Sequence, residues 1–115
     1  MDPEDAKLVT LARSARLRAH TPHVGVAEGA ALRDEDGRTY SAATVENADA
    51  ALTTSALRGA VSAAASSGAR AFEAAVVVTD GAVRGEDLSV LKEFGAGIPV
   101  LVAGADGELR ETRTT

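Results

Sequence analysis

Ala74-Ala75-Val76-Val77-Val78 is an unbroken apolar run, free of charge, glycine and proline. A strand wetted on one face alternates apolar with polar residues; a strand covered on both faces has no need to. The run therefore reads as the central strand of a sheet with layers on both sides. Before it, residues 53–67 carry Ala, Ser and Val at helical spacing, with a Thr to cap the start and Gly68 to end the helix. After it, residues 86–94 read as a helix closed by Gly95, and residues 98–103 as another strand. Ala105-Asp106-Gly107 turns the chain into a last strand over residues 108–113. Towards the N-terminus, Asp2-Pro3 supplies the cap and first residue of an opening helix, with Glu4 and Asp5 in its first turn. Leu8, Leu11, Ala12, Ala15 and Ala19 continue its apolar face until Pro22 stops it. Residues 28–33 and 38–44 read as two strands joined by the Asp34-Glu35-Asp36-Gly37 turn. The order α-β-β-α-β-α-β-β implies a layered α/β domain with one sheet covered on both faces.

A chain of 115 residues allows one domain, residues 1–115. It has no cysteine, which excludes disulfides, thiolate metal sites and cysteine nucleophiles. A net charge of −5 argues against nucleic acid or an anionic membrane as partner. No apolar run approaches the roughly 20 residues that span a bilayer, and residues 1–10 lack the basic start of a signal peptide. A soluble cytoplasmic domain is expected. Alanine fills 25 positions, Trp is absent, and Tyr40, Phe72 and Phe94 are the only aromatic residues. Side chains this small bury little area each, at roughly 25 cal/mol per Å². Burial between subunits would add to that, so a homo-oligomer is expected.

The motifs that suggest chemistry all have plain structural readings. His20 and His23 are of a ligand type for zinc, but they flank Pro22 with no third ligand nearby in sequence. Asp34-Glu35-Asp36 lacks the twelve-residue calcium-loop pattern and fits a hairpin turn. Gly95-x-Gly97 and Gly104-x-x-Gly107 lack the third glycine and following helix of a phosphate loop. Ser55 has no flanking glycine to make a nucleophile elbow, and a serine near a helix start is ordinarily structural.

A set of short stretches nevertheless resembles the small cytidine deaminase family in order and spacing. They are Gly29-Ala30-Ala31-Leu32 with Asp36-Gly37-Arg38, Val45-Glu46-Asn47-Ala48 with Leu52-Thr53, Ala56, Arg58 and Ala60, Val76-Val77-Val78, Val90-Leu91 with Glu93-Phe94-Gly95, and Pro99-Val100. The resemblance spans roughly residues 8–113. It implies a three-layer αβα fold around one mixed five-stranded sheet, and a homotetramer as the assembly.

Zinc deaminases hold the metal with a Cys or His at one helix start and two Cys from a Pro-Cys-x-x-Cys segment, and a glutamate moves the protons. Aligned on the resemblance, the first ligand position holds Ser55 and the glutamate position Leu57. The two Cys positions hold Arg84 and Asp87, in a segment whose leading loop is about four residues short. The resemblance therefore implies a member without zinc and without deaminase activity, acting through assembly or partners. The ribose-contacting pair falls on Thr44 and Glu46, and the aromatic that packs on the base falls on Val26. Glu28 stands where the family has a small apolar residue. Glu46 is read either as a ribose contact or as a cap on the following loop. Arg58 matches the arginine that offsets the zinc thiolates, and Asp87 is expected to pair with Arg58 or Arg84 in the vacated metal seat. Two other readings stay open: a binding module for a nucleoside, nucleotide or other small ligand, with Glu46, Thr44, Val26 and Arg58 as candidate contacts, and a genuine cytidine deaminase.

Overall fold

The computed structural model describes residues 1–115. In chain order the elements are α1 (Pro3–Arg16), β1 (Gly29–Asp34), β2 (Thr39–Ala43), α2 (Ala56–Ser66), β3 (Phe72–Val78), α3 (Gly85–Lys92), β4 (Pro99–Ala103) and β5 (Leu109–Thr114). One mixed sheet runs β2-β1-β3-β4-β5, parallel between β3 and β4 and antiparallel elsewhere.

The apolar run inside β3 divides between two cores, as a strand covered on both faces must. Ala74, Val76 and Val78 pack with Ala31, Leu101 and Ala103 against Leu8, Val9 and Ala12 of α1. Ala75 and Val77 pack with Ala30, Leu32, Val100 and Val102 against α2 and α3. The aromatic contribution is one edge-to-face pair, Phe72 with Phe94, at 5.3 Å between ring centroids. Small residues also set the layer spacing. A Cβ at Gly29 would overlap the Ala12 carbonyl oxygen and stand 2.5 Å from the Arg16 nitrogen, so glycine lets α1 lie directly on the start of β1.

Several boundaries differ from the sequence reading. Helix α1 closes at Arg16 rather than continuing past Ala19. The N–H groups of Leu17, Arg18 and Ala19 donate to carbonyls three residues back, a tightened end, and His20 then joins a bridge to Val45. Helix α2 begins at Ala56 with Ser55 as its cap, because Thr54 is held extended opposite Val45. A 3₁₀ turn, Ala50–Leu52, precedes it. In the β1–β2 turn, Gly37 has φ of +83°, and Asp34 Oδ1 accepts from the N–H groups of Asp36 and Arg38. The acidic cluster is thus a turn held by its own backbone.

Candidate functional site

The register of the sheet assembles the site. Gly29 pairs with Ala43 on one side and Val78 on the other, so Glu28, Thr44 and Thr79 occupy the next row across three strands. The Glu28 N–H donates to Thr44 Oγ1, the Thr44 N–H to the Glu28 carbonyl, and the Thr79 hydroxyl to Glu28 Oε2 at 3.0 Å. Helices α2 and α3 both start at this sheet end. Their caps, Ser55 and Arg84, line a cavity of about 430 Å³ together with Val26, Glu28, Thr44, Glu46 and Arg58. Six of the sequence candidates therefore meet in one cleft: Ser55, Arg84, Glu46, Thr44, Val26 and Arg58.

At its floor lies an ion cluster. Arg84 Nη2 donates to Glu28 Oε1 at 3.1 Å and to Asp87 Oδ2 at 3.1 Å. The carboxylate side chains are 5% and 4% exposed and the guanidinium 47%. Asp87 thus pairs with Arg84, and Arg58 has no part in the pair. Burial works against the Arg84 charge, but Glu28 and Asp87 more than offset it and hold the guanidinium pKa above its ordinary value. Asp87 Oδ1 is buried without a hydrogen-bond partner, and its place in the first turn of α3 sets it in the positive end of the helix field. Sequence reading noted Glu28 only as a departure from the family pattern. The available signal was an acid directly before an apolar strand, which needs a cation if it is buried.

The other candidates separate by role. Ser55 is a helix cap whose Oγ accepts from the Arg58 N–H. Leu57 lies in the core with 2% exposure and does not line the cleft. Glu46 holds the preceding segment rather than the following loop. Its Oε1 accepts from the His23 N–H at 2.7 Å and its Oε2 from the Val24 N–H at 3.2 Å. The bridge between His20 and Val45 lays these stretches side by side, which explains the correction. Burial pushes the Glu46 carboxyl up, yet bonds from His23, Val24 and Gly25 overcome this and leave its pKa below the ordinary 4.5. No three His, Asp or Glu side chains converge in a way that could hold a metal ion, and His20 and His23 belong to this backbone network.

The family profile described as Cytidine deaminase-like matches residues 1–107. The chain belongs to the cytidine deaminase-like family. Cytidine deaminase from Burkholderia pseudomallei is similar at 30% identity and a TM-score of 0.86, over 94% of this chain and 90% of that one. Cytidine deaminase from Mycobacterium tuberculosis is 28% identical with a TM-score of 0.79, over 96% and 91%. The enzyme from Mycobacterium leprae, at 24% identity and a TM-score of 0.82 over 98% and 94%, shares the fold. For the zinc that this cytidine deaminase-like fold implies, the donors here are poor. A catalytic zinc needs three protein ligands and an open position. The two helix starts offer a hydroxyl already used as a cap, a carboxylate already bonded to a guanidinium, and the guanidinium itself. This set does not fit the metal.

Two predictions follow from the geometry. Arg84→Met leaves two buried carboxylates without a cation and is expected to cost about 3 kcal/mol, the low end for a broken buried pair because the guanidinium is half solvated. Combining it with Glu28→Gln and Asp87→Asn should recover most of that in urea unfolding. A single variant within about 0.5 kcal/mol of the parent would mean that solvent already carries the cluster. For Glu46, a depressed folded pKa gives stability that is fully present above 4.5 and is lost as pH falls through the folded value. The Tm gap between the parent and Glu46→Gln should therefore close as pH drops below 4.5; a gap that is constant with pH would show that the charge is irrelevant to the clamp.

Proposed function

We propose that this cytidine deaminase-like chain does not carry out zinc-dependent deamination and acts through its assembly or its partners. One observation carries the reading: a guanidinium bonded to two buried carboxylates fills the seat between the two helix starts. Without the metal, the attacking water stays far less acidic than a zinc-bound one and supplies almost no hydroxide at neutral pH. Leu57, buried in the core, offers no group to move a proton. Elemental analysis of the purified protein is expected to find no stoichiometric zinc, and incubation with cytidine no change in ultraviolet absorbance. Bound zinc together with turnover would instead make the chain a deaminase like its structural relatives.

A homotetramer is the proposed assembly. The Ala-rich core and the exposed Val24, Val26, Val45 and Leu52 support it, because burying them between copies would add to a modest hydrophobic contribution. Light scattering at micromolar concentration should return the tetramer mass; a monomer would overturn the assembly. A second reading, a small-ligand module, is favoured by the cleft itself, whose 430 Å³ falls within the roughly 300–1,000 Å³ of ligand pockets.

A further inference from the structure

The charged groups lining the cleft are unequally committed. Both oxygens of Glu28 are bonded, to Arg84 and to the Thr79 hydroxyl. Both oxygens of Glu46 are bonded to backbone N–H groups. The hydroxyls of Thr44 and Thr53 each accept from an N–H and donate back to a carbonyl. The donors are in the opposite condition. Arg58 is exposed to the cleft, and its guanidinium has no ion pair and no hydrogen-bond acceptor in the protein. Arg84 spends Nη2 on both carboxylates, leaving Nε and Nη1 without acceptors. The Ser55 oxygen accepts from the Arg58 N–H, and its own hydrogen is unassigned. Glu86 is the one lining carboxylate without a partner; like Arg58 and Arg84 it is exposed, where solvent and salt screen it.

The unfilled hydrogen-bonding capacity of the cleft is therefore mostly donor capacity, and most of that is cationic. Arg58, with its planar N–H pairs free, and Arg84, with single Nε and Nη1 donors left over, line one concavity and match the oxygens of a phosphate group. A neutral ligand would leave the Arg58 charge to solvent alone. From this asymmetry we infer that the cleft takes a phosphate monoester rather than a neutral ligand, with Arg58 as its main anion contact. This rests on the cleft being a ligand site, and it goes further by specifying the charge of the ligand.

Calorimetric titration tests it, with cytidine, uridine, their 5′-monophosphates and inorganic phosphate as probes, at low and high salt. The expected result is that a monophosphate binds at least about tenfold tighter than its nucleoside, the scale of one charge-assisted hydrogen bond. That advantage should shrink at high salt. Arg58→Gln should abolish the difference while leaving the Tm of the free protein unchanged, since the side chain is exposed and unpaired; Arg58→Lys should keep part of it. Equal binding of nucleoside and monophosphate would overturn the inference and leave the small-ligand reading standing. Inorganic phosphate binding as tightly as the monophosphates would overturn it too, because sugar and base would then contribute nothing. Absence of binding by every probe would remove both the inference and the ligand reading, without touching the zinc and deamination assays.

Discussion

A carboxylate buried at the head of a strand has to be answered by a cation and a hydrogen-bond donor, and Glu28 organises this end of the molecule around that requirement. It occupies the row where β1, β2 and β3 hand the chain over to loops, so satisfying it draws groups from three directions. Thr44 bonds its backbone, Thr79 takes one carboxylate oxygen, and Arg84 reaches from the start of α3 to take the other. Because the same Arg84 nitrogen also holds Asp87, the position of α3 against the sheet is tied to the side chain of a residue 56 positions before Arg84 in the chain.

The layers were legible because they rest on periodicity. The continuous run at Ala74–Val78 foretold a strand covered on both faces, and the two cores divide its side chains by alternation. Helix ends were less legible: neither the early close of α1 nor the shift of the α2 cap to Ser55 could be read locally. Both follow from bridges at Val45, which pairs with His20 on one side and Thr54 on the other, contacts between residues distant in sequence. In the site, six of the positions picked out by the resemblance line one cleft while Leu57 lies in the core, and Asp87 pairs with Arg84, one of the two partners expected for it. The role of Glu28 was missed, since a lone acid shows its cost only once its burial is known. Glu46 was placed correctly but its partners were not, because a carboxylate that clamps backbone N–H groups leaves no pattern in side-chain identity.

The cleft and the core express one economy of small residues. With few aromatic side chains, the layers approach closely, and Gly29 lets α1 press against the strand that carries Glu28. That contact lies next to the floor of the cleft, while its rim, the segment bearing Val24 and Val26, is bonded to Glu46. The result is a charged base under an edge bonded by the Glu46 carboxylate and, at Ala27, by Arg16.

The shared Arg84 nitrogen also constrains the order in which this seat can change. Exchanging Arg84 alone for a cysteine would leave two buried carboxylates without their cation, so a stepwise route towards a metal-binding sequence is costly at its most direct step. Glu28 would have to become small and apolar first, and that change by itself leaves Arg84 and Asp87 as a balanced pair. Substitutions at positions 28, 84 and 87 are therefore contingent on one another, and their accessible sequence runs through position 28.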